Sequence, residues 1–138
     1  MDTTRHGNPT RIFERLENDT LLWLTTIDDS GRPQPSLVWF LWEDDEVLVY
    51  SEPHTQKIRN ITARPEVALN FNSNDGGGDM TVISGVARLV DDAPPPHLHE
   101  PYIVRYGDTI AAMNTTPEDF IGPYSQAIRI TPTSARGL

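Results

Sequence analysis

The segment with the most distinctive chemistry is a short basic stretch, residues 51–64 (SEPHTQKIRNITAR). It carries His54, Lys57, Arg59 and Arg64 in a chain whose 20 acidic residues outnumber its 11 basic ones. A helix that begins directly after a strand presents free backbone N–H groups that bind anions, and a nearby lysine adds charge-assisted hydrogen bonds to a phosphate. The stretch therefore indicates a phosphate site, although a solvated basic helix face explains the same residues.

An aromatic cluster, Trp39, Phe40 and Trp42, lies just before this basic segment. Successive side chains of a strand point to opposite faces, so Phe40 and Trp39 lie on different sides. One side packs inward, and the other can meet a planar ring or a partner chain. Core packing is a sufficient explanation for Phe40 alone.

Other chemistries have weaker support. No G-x-S-x-G motif is present, and no motif places a serine beside a histidine, which disfavours a hydrolase. His97 and His99, followed by Glu100, have the residue types of a zinc or iron site, but two histidines at i and i+2 diverge on a helix. We expect both histidines to be solvated and predict no metal site.

The composition excludes several classes of function. The formal net charge of −9 disfavours nucleic acids and anionic membranes as partners. The absence of cysteine excludes disulfides and thiolate chemistry. No apolar run approaches the roughly 20 residues that span a bilayer, and residues 1–9 lack the apolar core of a signal peptide. These features predict a cytoplasmic protein.

Alternating apolar runs separated by turn signals predict a mainly β protein with a few short helices. We predict one domain, residues 1–138, in which residues 1–9 form a flexible terminus. Gly85 is predicted to mark a β-bulge. The six predicted strands are residues 21–27, 34–42, 46–51, 67–73, 80–90 and 125–132. The predicted helical segments are residues 10–17, 55–63, 97–110 and 117–121.

Several pieces of the chain resemble one known superfamily when they are taken together. They are LTTIDDSGRPQPSLVWFLW, VLVYSEPHTQKIRNI, VALNFNS followed by GGGD, and ISGVARLV, with a closing ITPTSARG. These motifs resemble the pyridoxamine 5'-phosphate oxidase-like split-barrel superfamily, and especially its branch of F420-dependent oxidoreductases. The resemblance implies a six-stranded antiparallel split β-barrel of Greek-key type, paired as a homodimer with a cofactor at each of two subunit interfaces.

The resemblance also implies the cofactor-binding residues. By position, Lys57 matches the lysine that meets the cofactor phosphate, with Gln56 and Asn60 beside it. Ser51 matches a strand-end position near the phosphate or the ring. The strand that lies along the tricyclic ring is matched by Ser36, Val38 and Trp39.

The implied activity is hydride transfer from reduced coenzyme F420, a deazaflavin, to a small unsaturated organic substrate. The cofactor carries the difficult chemistry, which fits a sequence with no evident acid–base pair. Tyr50, His54 or solvent can serve as the proton donor. Two alternatives stay open: an FMN-binding oxidoreductase of the same fold, and a non-catalytic protein that stores a flavin or another planar ligand such as haem.

Overall fold

The structure is a computed structural model that describes residues 1–3 and 8–137. Seven strands form one antiparallel sheet in the order β2-β1-β5-β6-β7-β4-β3, which curls around an apolar interior. The strands are β1 (Leu22–Ile27), β2 (Pro33–Val38), β3 (Leu41–Glu43), β4 (Glu46–Ser51), β5 (Glu66–Asn70), β6 (Thr81–Val90) and β7 (Gln126–Gly137). The helices are α1 (Pro9–Asn18), α2 (Gln56–Ala63), α3 (Glu100–Ala112) and α4 (Pro117–Ile121).

The prediction of six strands is wrong because residues 34–42 form two strands instead of one. β2 pairs with β1 at one edge of the sheet, and β3 pairs with β4 at the other edge. The chain changes edge at Trp39 and Phe40. Phe40 donates its backbone N–H to the Tyr106 hydroxyl at 2.8 Å, and its carbonyl oxygen lies 2.9 Å from the same hydroxyl. The Tyr106 hydroxyl thereby provides hydrogen-bond partners for the buried backbone N–H and C=O groups of Phe40, which do not pair with a neighbouring strand.

The remaining predicted strands form, with β5 ending at Asn70 instead of Ser73 and β7 extending to Gly137 instead of ending at Pro132. The predicted bulge is also confirmed, since the register between β6 and β7 shifts at Ser84/Gly85. The helix predicted at residues 55–63 forms as well. Thr55 caps it by accepting a hydrogen bond from the backbone N–H of Ile58, as the side chain of a helix N-cap does.

The sheet is apolar on both sides at β4, and this creates two separate cores. Val47 and Val49 point into the curled sheet and join the larger apolar cluster. Leu48 and Tyr50 point outward and join a second cluster, built with Tyr102 and other residues of the helical region. Because strand side chains alternate in direction, one strand contributes to both cores.

The covering for the outer face of β4 is the segment between β6 and β7, residues 91–125, which we call the helical cap. It contains a single 3-10 turn, Pro96–Leu98, followed by α3 and α4. At the start of α3, His99 Nε2 lies 3.0 Å from Glu43 Oε2, and Arg129 Nη1 lies 3.1 Å from Glu43 Oε1. The first contact fastens the cap to β3, and the second joins β3 to β7. Among the described residues, no helix has the length and apolar character needed to cross a bilayer.

Candidate functional site

A cavity of about 360 Å³ lies beside the start of α2, where the helical cap meets the outer face of the sheet. This volume is at the lower end of the range for small-molecule sites. The lining residues are mostly apolar or aromatic. They are Leu37, Val38, Trp39, Tyr50, Lys57, Tyr102, Met113, Phe120, Ile121 and Tyr124.

Lys57 is the one charged side chain among the described residues that line the cavity. It is half-buried, and burial lowers the pKa of its ammonium group from the ordinary lysine value. No carboxylate of the described residues pairs with the Lys57 ammonium group, whereas most of the described arginines form ion pairs. An unpaired, partly desolvated cation is costly, so a bound anion would be held strongly there.

Tyrosines form a second polar feature of the cavity. Tyr50 donates its hydroxyl to the carbonyl oxygen of Pro94 at 2.6 Å, and burial raises the pKa of Tyr50 to about 12. Tyr102 is 3% exposed, and burial raises the pKa of its hydroxyl as well. The Tyr102 hydroxyl has no hydrogen-bond partner among the described residues, so it differs from that of Tyr50.

Trp39 forms the wall of the cavity at the break between β2 and β3. Its ring stacks on the Tyr106 ring with a centroid separation of 4.3 Å and an interplanar angle of 1°. The Tyr106 hydroxyl contacts the backbone of Phe40 and lies 2.8 Å from the carbonyl oxygen of Thr20. Tyr106 therefore fixes both the backbone break and the plane of the indole, which keeps the wall in one orientation.

Three of the seven predicted cofactor-binding residues line the cavity: Val38, Trp39 and Lys57. Ser36 is on the same strand, β2, and its hydroxyl lies 3.5 Å from the carbonyl oxygen of Leu24. Phe40, which the sequence placed on the opposite face from Trp39, is fully buried inside the curled sheet.

The other three predicted residues lie beside the cavity and bond to protein atoms. Ser51 donates its hydroxyl to the carbonyl oxygen of Glu52 at 2.8 Å. The Asn60 side chain is buried and donates to the Thr26 hydroxyl at 3.0 Å. Gln56, on the exposed side of α2, donates to the Asn60 side chain at 2.7 Å. The Ser51 hydroxyl also lies 3.2 Å from Oγ1 of Thr55, the N-cap of α2, so Ser51 and Asn60 hold α2 against the sheet and position Lys57.

Sequence reasoning missed the half of the cavity wall that comes from the helical cap. These residues are Tyr102, Met113, Phe120, Ile121 and Tyr124. The sequence predicts a helical segment over residues 97–110, but it does not show which part of the sheet that segment covers.

None of the described histidines lines the cavity. His54, a candidate proton donor, lines a separate groove on the far side of α2 with Ile58 and Arg59. The expectation that His99 is solvated is wrong, because its side chain is 12% exposed and contacts Glu43. In residues 1–3 and 8–137, no group of three or more histidine, cysteine or acidic residues is placed to hold a metal ion.

Comparisons with known proteins place this curled antiparallel sheet in a known family. The profile described as pyridoxamine 5'-phosphate oxidase matches residues 9–138. The chain belongs to this family. A search of curated proteins finds no significant match.

Solved structures of similar fold differ in the ligands that their names record. An F420 reductase is 25% identical, with a TM-score of 0.69, and the match covers 88% of this chain and 93% of that one. An FAD-binding protein from Mesorhizobium loti is 16% identical, with a TM-score of 0.68 and coverage of 95% and 94%. The haem storage protein HutZ from Vibrio cholerae is 18% identical, with a TM-score of 0.61 and coverage of 91% and 89%. The last two show the shared fold.

Proposed function

We propose that this protein is an F420-dependent reductase, which transfers a hydride from the reduced deazaflavin to a small unsaturated organic substrate. The F420 reductase among the solved structures supports this cofactor, since it covers nearly the whole chain at 25% identity. When it is bound, the deazaflavin supplies a hydride donor that reacts poorly with oxygen. The protein supplies the binding site, the orientation of the ring and the exclusion of water.

The observation that carries the proposal is the environment of Lys57. An ammonium group that is half-buried, unpaired with the described residues and next to aromatic walls needs an anionic partner with an aromatic body. A phosphorylated tricycle has both parts. The first backbone N–H groups of α2, which have no partner inside the helix, would contact the same phosphate.

The other cavity residues would position the ring. Val38 and Trp39 present backbone and aromatic surface at the end of β2, and the contacts of Tyr106 hold that segment. The Trp39 ring stacks on Tyr106 and also meets Phe120 at a centroid distance of 5.8 Å, so a planar ligand in the cavity would add to an aromatic wall. The remaining predicted cofactor-binding residues would lie next to this ring site. They are Ser51, Gln56 and Asn60, around the start of α2, and Ser36 on β2.

The site is proposed to work in a homodimer. Leu37, on the edge strand β2, lines the cavity and is 46% exposed. A second copy of the chain packed on this edge would bury the exposed leucine and close the open side of the site. Sedimentation at micromolar concentration measures the assembly directly, and a purely monomeric protein would contradict this part of the proposal.

Two alternatives share the fold and are separated by experiment. An FMN-binding oxidoreductase would use the same neighbourhood of Lys57 for its phosphate, and a carrier would bind the cofactor without turnover. Titration of the purified protein with FMN and with F420, followed by an assay with reduced cofactor and a conjugated enone, distinguishes all three. Preference for F420 with turnover supports the proposal, whereas preference for FMN, or binding without turnover, refutes it.

Replacement of Lys57 tests the phosphate contact. Lys57→Met keeps an apolar stem and removes the charge, so cofactor affinity should fall about 10- to 100-fold, as expected for a lost charge-assisted hydrogen bond. Lys57→Glu should abolish binding, and both variants should fold, because the ammonium group has no partner among the described residues to lose. Arg64→Glu, near the other end of α2, is the matched control, since its ion pair with Asp29 is exposed. Unchanged affinity in Lys57→Met would remove the phosphate assignment.

A further inference from the structure

Tyr102 has an unusual combination of burial and missing hydrogen bonds. The residue is 3% exposed and lines the cavity, yet its hydroxyl bonds to none of the described residues. Buried tyrosine hydroxyls in proteins usually find a partner, as Tyr50 and Tyr106 do here. A buried tyrosine without one therefore requires an explanation.

The remaining accessible surface of Tyr102 indicates where its hydroxyl points. The fully enclosed polar side-chain atoms that lack a partner in the described residues belong to His97 and Arg105, not to Tyr102. The Tyr102 hydroxyl therefore keeps some accessible area, and in a residue that is 3% exposed this area faces the cavity.

The surroundings of the Tyr102 ring hold it in place. The ring meets Tyr50 edge to face at a centroid distance of 5.1 Å and packs against Tyr106 at 4.9 Å. Both neighbours use their own hydroxyls to bond backbone carbonyls. The Tyr102 hydroxyl is thus a donor held in a fixed direction, with no acceptor supplied by the described part of the chain.

We infer that the Tyr102 hydroxyl donates a hydrogen bond to a carbonyl oxygen of the planar ligand, one that is conjugated to its π-system. The charge of the cavity favours this chemistry. Lys57 is the one charged group among the described lining residues, so away from Lys57 the neutral Tyr102 hydroxyl matches a neutral acceptor. The cavity volume of about 360 Å³ suits one ring system with a short conjugated side chain.

For the reductase, on whose proposed function this step rests, Tyr102 defines the substrate class as enones and related conjugated carbonyl compounds. A hydride from the reduced deazaflavin forms a C–H bond at the β-carbon, and the alkene electron pair moves to leave negative charge on the carbonyl oxygen. The Tyr102 hydrogen bond strengthens as that charge develops. A proton from solvent then adds to the α-carbon, so hydride and proton together give the saturated ketone and the oxidised cofactor.

The test uses the cofactor-free protein and a coloured enone, para-dimethylaminobenzylideneacetone, whose absorption band moves to longer wavelength when its carbonyl accepts a hydrogen bond. The wild-type protein should bind it with such a shift. Tyr102→Phe should lose the shift and bind about five- to tenfold more weakly, as expected for the loss of one buried hydrogen bond. Arg64→Glu, whose exposed ion pair with Asp29 lies outside the cavity, should behave like the wild type.

A second comparison needs no variant. The wild-type protein should prefer the enone over the analogue in which a methylene group replaces the carbonyl oxygen, again by about five- to tenfold. Equal affinity for the two compounds, or an unchanged spectral shift in Tyr102→Phe, would overturn the assignment.

Titration of Tyr102→Phe with FMN and F420 identifies the source of the carbonyl. Unchanged cofactor affinity together with weakened enone binding places the contact on a substrate. Weakened cofactor affinity places it on a carbonyl of the cofactor ring. If the wild-type protein binds neither cofactor and still shows the enone shift, the proposed function fails while the role of Tyr102 stands.

Discussion

Two tyrosines on α3 provide a stringent test of the energetic reasoning. Tyr102 and Tyr106 lie four residues apart, are 3% and 1% exposed, and lose the same hydroxyl when each is replaced by phenylalanine. Their hydrogen bonding is opposite. Tyr106 accepts from the backbone N–H of Phe40 and donates to a carbonyl oxygen of Phe40 or Thr20, whereas Tyr102 bonds to no described residue.

The expected magnitudes follow from these contacts. Tyr106→Phe leaves the buried N–H of Phe40 without a partner, at a cost of about 1–3 kcal/mol, and removes one donated hydrogen bond worth about 1 kcal/mol. The free energy of unfolding should therefore fall by about 2–4 kcal/mol. Tyr102→Phe should change it by less than about 0.5 kcal/mol, or raise it slightly, because no protein hydrogen bond is lost.

Urea unfolding followed by tryptophan fluorescence measures both variants under one condition. With a slope of about 2 kcal/mol per molar urea, Tyr106→Phe should lower the midpoint by about 1–2 M, and Tyr102→Phe should leave it within about 0.3 M. Trp39 stacks on Tyr106, so its emission reports the break between β2 and β3 directly. Equal destabilisation by the two changes would refute the hydrogen-bond assignment on which the site description depends.

Three further changes test other parts of the structure. Hydrogen bonding to Arg88 lowers the pKa of Glu46 to about 2, so its stabilising effect is present above the ordinary glutamate pKa and is lost as the pH falls towards 2. As the pH is lowered, the urea unfolding midpoint of the Glu46→Gln variant should therefore decrease less steeply than that of the wild type. Asn60→Leu should lower the free energy of unfolding by about 1–3 kcal/mol, with or without cofactor, because it leaves the Thr26 hydroxyl unpaired. Gly85→Ala should cost about 1–3 kcal/mol by thermal unfolding, since the new Cβ would lie 2.9 Å from a backbone oxygen of β7.

The parts of the fold that local patterns determine are the parts that the sequence predicted. Alternation and turn residues located β1, β4, β5 and β6, and the helix that carries Lys57 was predicted over residues 55–63. The break between β2 and β3 is different. Trp39 and Phe40 are strong strand formers, and the residue that interrupts the strand there is Tyr106, 66 positions away from Phe40.

The same distinction explains the candidate site. Lys57 was predictable because its chemistry depends on a helix start that directly follows a strand, and both features are local in sequence. The contribution of Tyr102 and Phe120 depends on the docking of the helical cap against β4. That docking includes the contact between His99 and Glu43, which are 56 residues apart, and no sequence motif records it.

Because β4 presents Val47 and Val49 to one core and Leu48 and Tyr50 to another, the cavity and the interior of the curled sheet draw on largely different residues, with Val38 shared between them. The helical cap leaves the sheet after β6 and returns to it at β7 as one uninterrupted piece of chain. Its cavity-facing side chains are therefore open to exchange, in evolution or in the laboratory, with little disturbance of the interior of the curled sheet. Substitutions within this one stretch of about 35 residues can therefore change which molecule such a scaffold accepts, while the curled sheet stays the same.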